Sequence, residues 1–149
     1  DTEAWQTTGT PVDCVKLAVD KILRRKPDLC LSGINHGANH SINVIYSGTM
    51  SAAMEASIES IPSIGFSLLD YSVEADFTAS RFYIKKIVSA LLQQKMDKHL
   101  LLNVNIPNRA DADTLPWAVT HLGRRHASEP VICQVSPRTN QTSFPVATS

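Results

Sequence analysis

"LCLSGINHGANHSINVIYSGTMSAAMEA", residues 29–56, decides the fold. It opens as a short buried strand over residues 29–32 and closes as a helix marked by Met50, Ala53, Met54 and Ile58. Between them lie sixteen small and polar residues, 33–48, with three asparagines and three glycines. A strand and the helix after it are ordinarily joined by about two to six residues, so this connection is read as a long loop with a task of its own. In open α/β sheets ligands bind outside the carboxyl ends of the strands, and the loop leaves such an end.

The flanks repeat the pattern. Upstream, "TPVDCVKLAVDKILRRKPD" places Val12, Val15, Ala18, Val19 and Ile22 at helical spacing, with Thr10 as N-cap and Pro11 at the first helical position. That helix should end near Arg25, ahead of Pro27. Downstream, Pro62 stops the second helix and "SIGFS", 63–67, reads as a strand. A third helix is expected over about 76–95, with Ser80, Ile84, Ile87, Val88 and Leu91 on one face, then a strand over 99–107 closed by Pro107. The order α-β-α-β-α-β predicts a parallel sheet covered by helices, with right-handed crossovers. After Pro107 the character changes. Residues 108–116 read as loop, and "WAVTHL" (117–122) and "PVICQV" (130–135) as strands of a hairpin joined by "GRRHASE". The tail from Ser136 has no period and is expected to be frayed or truncated. Residues 1–107 thus form an α/β core, and 108–149 an arm and tail of the same domain.

Composition narrows the partners. At 149 residues, 43% hydrophobic and 19% charged, the chain is one domain or part of one with a real core. Lys plus Arg and Asp plus Glu number 14 each, so net charge gives no case for a nucleic-acid polymer or an anionic membrane as partner. No apolar run approaches the roughly 20 residues of a membrane helix, and no signal peptide opens the chain. The three cysteines, Cys14, Cys30 and Cys133, are read as reduced core residues of a cytoplasmic protein. The first residue is Asp1 rather than methionine, and the beginning of the domain is expected to be missing.

The loop has the chemistry of a site. Gly33 and Gly37 allow close backbone approach, and Asn35 and Asn39 offer neutral carbonyl oxygens suited to a hard cation such as Mg²⁺, Mn²⁺ or Ca²⁺. The stretch "YSGT" opens the next helix, where free N–H groups favour a phosphate oxygen and Ser47 and Thr49 add hydroxyls. Plainer readings compete. Ser47 or Thr49 can simply cap the helix, Asn39 and Asn43 suit ordinary turns, and Asp13 suits a first helical turn. His36 and His40, with no cysteine or carboxylate beside them, read as solvated side chains, and His99, His121 and His126 are scattered.

Five stretches occur in one order: "GTPVDCV" (9–15), "PDLCLSGINHGAN" (27–39), "VIYSGTMSAAMEA" (44–56), "IPSIGFSL" (61–68) and "LLNVNIP" (101–107), and "GRRHASEPV" (123–131) looks like the start of a projecting hairpin arm. Together they resemble the survival protein SurE family of metal-dependent 5′-nucleotidases. The resemblance implies a doubly wound, mostly parallel, Rossmann-like α/β sheet with a C-terminal β-hairpin extension. It implies hydrolysis of nucleoside 5′-monophosphates with a divalent metal cation, and a homodimer or homotetramer built through the hairpin arm. It also implies that Asn35 ligates the metal, that Asn39, Ser47, Gly48 and Thr49 line the phosphate site, and that Asp13 is structural. The family opens with a strand ending in "NDDG", whose aspartates ligate metal, and a later serine is a further ligand. All would precede Asp1, so the chain alone is expected to be inactive or nearly so, and no catalytic base is named within it. Many relatives also carry "LGDD" where this chain has "HSIN", 40–43. The rival readings are a catalytically incomplete fragment and a non-enzymatic α/β nucleotide- or phosphate-binding module.

Overall fold

A computed structural model describes residues 2–40, 43–109, 118–120, 134–135 and 142–143. Its elements run in chain order α1 (Pro11–Leu17), a π-helical segment (Ala18–Ile22), β1 (Cys30–His36), α2 (Asn43–Tyr46), α3 (Gly48–Ile58), β2 (Ser63–Leu69), α4 (Thr78–Leu92), β3 (Leu101–Pro107), β4 (Gln134–Val135) and β5 (Thr142–Ser143). β1, β2 and β3 form a parallel sheet in that spatial order, with β2 in the middle. The parallel sheet covered by helices that the element order predicts is observed, in the α/β class that the resemblance implies.

Helices α1 and α3 start for visible reasons. The Thr10 hydroxyl accepts from the Asp13 N–H, the Asp13 side chain returns a bond to the Thr10 N–H, and Pro11 occupies the first turn. The apolar stripe Val12, Val15, Ala18, Val19 and Ile22 is the half-buried face of this helical stretch, as its spacing predicts, although the regular α-helix ends at Leu17 and gives way to a π turn. α3 begins at the Ser47 cap, whose Oγ accepts from the Met50 N–H at 3.1 Å. It buries Met50, Ala52, Ala53 and Ala56 and leaves Ile58 exposed, so Ile58 does not belong to the packing face.

The two faces of β2 meet different helices. The Ser63 hydroxyl donates to the Ala53 carbonyl at 2.6 Å, and a Cβ added at Gly65 would strike Met50, so odd-numbered positions face α3. Ile64 and Phe66 join Tyr83, Ile87 and Ile106 in the main core, with Ile84, Val88 and Leu91 packed against it, so even-numbered positions face α4. The predicted face of the third helix is therefore the buried one. Strand order β1-β2-β3 advances in one direction while its two connecting helices lie on opposite faces, so the two crossovers have opposite hands. One of the two is therefore left-handed, against the expectation of right-handed crossovers.

The cysteines and the arm follow expectation only in part. Cys14 is exposed on α1 and Cys30 is half-buried; both are free thiols, burial pushes the Cys30 thiol up, and Cys133 lies outside the described residues. Of the predicted arm, Ala118–Thr120 has no regular structure where a strand was expected, whereas Gln134–Val135 is strand, as expected at the end of 130–135; its antiparallel partner, Thr142–Ser143, lies inside the tail expected to be frayed. The rest of the arm, with His121, His126 and the "GRRHASE" turn, lies outside the described residues. Among the described residues no helix is long and apolar enough to cross a membrane.

Candidate functional site

The sixteen-residue loop is shorter than expected. β1 runs through Gly33, Ile34 and Asn35 to His36, because β2 extends to Leu69 and pairs with it: Asn35 opposes Ser67, and His36 opposes Leu68. Near the far end, Asn43–Tyr46 forms the short helix α2. What remains of the loop before the undescribed Ser41 and Ile42 is Gly37 to His40.

A β-bulge sets the site. Ser32 opposes Gly65 and Asn35 opposes Ser67, so β1 spends three residues where β2 spends two. Gly33 adopts φ +112°, and a Cβ there would collide with the Phe66 carbonyl oxygen. In an unbroken strand Ile34 would share a face with Ser32, and Asn35 would point to the other side. The bulge reverses that alternation. Ile34 packs against the α4-side core, while Asn35 aligns with Ser67 and Asn105 in a row across all three strands.

That row is hydrogen-bonded to Asn39. The Asn35 Nδ2 donates to the carbonyls of His36 and Gly37 at 2.9 and 3.0 Å, which fixes which way its amide points. Its Oδ1 then accepts from Asn39 Nδ2 and from Ser67 Oγ, both at 2.9 Å. Asn39 Nδ2 also donates to Ser67 Oγ at 2.5 Å. The Asn39 peptide is gripped from β3: its N–H donates to Asn105 Oδ1 at 2.8 Å, and its carbonyl accepts from Asn103 Nδ2 at 2.6 Å and Asn105 Nδ2 at 3.0 Å. Gly37, at φ +84° beneath the Tyr71 ring, anchors the turn by donating to the Leu68 and Asp70 carbonyls.

The start of α3 lies over the same face. Thr49 Cγ2 is 3.6 Å from where a Gly65 Cβ would stand, two residues before Ser67 on β2. Gly48 abuts Pro11 of α1: a Cβ there would sit 3.1 Å from Pro11 Cγ. At the rim, His36 meets the Phe77 ring edge-on at 5.1 Å between centroids. Asp70 is held below the ordinary carboxylate range by hydrogen bonds from the Ser72 N–H and the Asn108 amide, with His36 adding charge. His40 and Asn43 are exposed, and Asp13 serves the α1 cap, where its hydrogen bonds from Thr10 lower its pKa.

The structure therefore brings Asn35 and Asn39 into one cluster and sets Ser47, Gly48 and Thr49 in the opening turn of a helix over the same sheet face. Sequence reasoning missed Ser67, Asn103 and Asn105. The signal available was "NVN", two amides alternating with apolar residues at the carboxyl end of a strand in a covered sheet. Among the described residues no three His, Cys, Asp or Glu side chains gather as a metal cage. For a divalent cation these residues offer amide oxygens, the right ligand type and too few of them.

A family model described as "Survival protein SurE" matches residues 1–129. The chain is 62% identical over 109 residues to a protein of Flavobacterium psychrophilum named 5′-nucleotidase SurE, covering 73% of this chain and 42% of that one. It is 52% identical over 134 residues to a protein of the same name from Christiangramia forsetii, covering 90% and 52%. The crystal structure of the SurE protein from Aquifex aeolicus superposes with a TM-score of 0.72 at 40% identity, covering 87% of this chain and 52% of that one. The chain spans about half the length of the curated relatives it matches.

Proposed function

Since this chain belongs to the SurE survival-protein family, we propose that it supplies part of a 5′-nucleotidase, a hydrolase that takes phosphate from nucleoside 5′-monophosphates with a divalent cation. The observation that supports the reading is that an amide cluster, Asn35 and Asn39, and the opening turn of α3 lie on one face of a parallel sheet, the cluster at its carboxyl end. The names of the relatives supply the substrate class. The protein is read as cytoplasmic, and as a homodimer or homotetramer joined through residues 108–149.

In this reading Asn35 Oδ1 is one metal ligand, and the others lie beyond the described residues. A bound cation supplies charge neutralisation at the phosphoryl oxygens and acidifies a water. The chain's own part is to receive the phosphate. Gly48 and Thr49 present first-turn N–H groups that have no acceptor within the helix. Ser47 Oγ takes the Met50 N–H, which leaves its own proton to donate outward. Asn39 Nδ2 can reach an anion by releasing Ser67. The helix N–H groups, fixed before the substrate arrives, stabilise charge on the equatorial oxygens without reorganising.

The test is phosphate release from a nucleoside 5′-monophosphate by the full-length protein, with Mg²⁺, Mn²⁺ or Ca²⁺. Asn35→Ala is expected to raise the cation concentration needed or to abolish turnover; unchanged cation dependence shows that another group is the ligand. The second reading is a phosphate-binding module without catalysis, which keeps the α3 cap and the amide cluster as a binding site alone. Retained phosphate binding with no release under any of the three cations selects it.

A further inference from the structure

Asn39 is 5% exposed, yet it sits in a turn where no ladder partner is at hand. A buried peptide group must find its hydrogen bonds somewhere. Here both its N–H and its carbonyl are served by side chains from a strand more than sixty residues on, Asn103 and Asn105. The two amides lie two residues apart on β3, on one face, and brace each other at 3.2 Å from Asn105 Nδ2 to Asn103 Oδ1. This arrangement leaves the Asn39 side chain free to meet Asn35 and Ser67, and through them it fixes both amides of the cluster.

We infer that Asn103 and Asn105 are positioning residues, a clamp on the Asn39 peptide that sets Asn35 and Asn39 for phosphoester chemistry without either clamp residue touching substrate. The inference rests on the hydrolase reading and adds to it the residues on which its geometry depends. The two members are unequal. Asn105 takes the N–H and shares the carbonyl, whereas Asn103 serves the carbonyl alone, so Asn105 is the larger loss.

The experiment compares wild type, Asn105→Ala and Asn103→Ala as full-length proteins in two measurements. The first is hydrogen exchange of the Asn39 amide in metal-free protein, read beside the Ile64 and Phe66 amides of β2. Asn105→Ala should speed Asn39 exchange by about tenfold or more while the β2 amides hold. Asn103→Ala should do less. The second is turnover. kcat/KM should fall about 10- to 100-fold in Asn105→Ala, the scale typical of groups that orient metal or catalytic ligands, and less in Asn103→Ala, at thermal midpoints that leave both variants folded.

Unchanged Asn39 exchange in Asn105→Ala overturns the clamp. Faster exchange with undiminished turnover overturns its role in positioning. Both results leave the hydrolase reading standing, because wild-type turnover supports that reading separately. A wild type without turnover, under all three cations, removes the hydrolase reading and the positioning role with it. If Asn105→Ala does not fold, Asn103→Ala, which retains the N–H partner, decides by the same two measurements.

Discussion

Replacing Gly33 with alanine tests the bulge from which the site geometry follows. The residue stands at φ +112°, a region that side-chain-bearing residues rarely adopt, and its added Cβ would collide with the backbone oxygen of Phe66. Holding such a φ costs about 1–3 kcal/mol, and forcing an extra carbon into a packed strand pair typically costs about 1–3 kcal/mol more. The obstacle is main chain in the central strand, so it cannot swing aside as a side-chain tip would. The expected loss is about 3 kcal/mol, which for a chain of this size lowers the thermal midpoint by about 10 °C. Gly48→Ala is the contrast. Its φ is outside the left-handed region and its nearest obstacle is a proline ring carbon at 3.1 Å, so its loss should stay below about 1 kcal/mol. Urea and thermal unfolding measure both. The chain can also escape the collision by losing the bulge, which returns Ile34 to the polar face and withdraws Asn35; exposure of the Asn39 amide to exchange would report that route. A Gly33→Ala protein within about 1 kcal/mol of wild type, with Asn39 still protected, refutes the reasoning.

Other outcomes are expected elsewhere. Ser80 Oγ is buried on α4 and has no hydrogen-bond partner among the described residues; Ser80→Ala should therefore stabilise the fold by about 1 kcal/mol, and a loss on denaturation would show a missed partner. Ser47→Ala removes the α3 cap and should cost about 1 kcal/mol, together with weaker phosphate binding by calorimetry; an unaltered phosphate affinity would take Ser47 out of the site. The Asp13 carboxylate, held below its ordinary value by two bonds from Thr10, stabilises α1 fully above that ordinary value. Its contribution is lost as pH falls through the lowered folded-state value. Asp13→Asn should flatten the acid limb of a stability–pH curve below about pH 4, and an identical limb would assign that dependence to other carboxylates.

Much of the fold was legible because it was local. The Thr10–Pro11–Asp13 start of α1, the stripe from Val12 to Ile22 and the buried face of α4 follow from spacing and capping, which need no partner to be read. The site was half legible. Asn35, Asn39 and the "YSGT" turn stood out as small polar residues where a helix or strand pattern should have continued. The strand through Gly33–His36 did not, because Gly33 and Asn35 are of types depleted from strands, and the segment is held extended by its pairing with β2. Asn103 and Asn105 were hidden by the reverse effect: they fit a strand's alternation, and nothing near them in sequence shows that their amides face a turn sixty residues earlier. The opposite hands of the two crossovers were likewise invisible, since helix and strand order are the same for either hand.

Among the described residues, every side chain hydrogen-bonded to Asn39 is an amide or a hydroxyl, and neither group gains or loses a proton in ordinary buffers. The alignment of the cluster is thus electrically neutral. It should survive acid, alkali and added salt for as long as the sheet itself survives, since there is no charge in it to titrate or to screen. Any bell or slope in activity against pH then belongs to the reacting groups, the phosphate or its counter-ion, and the framework that holds them drops out of the profile.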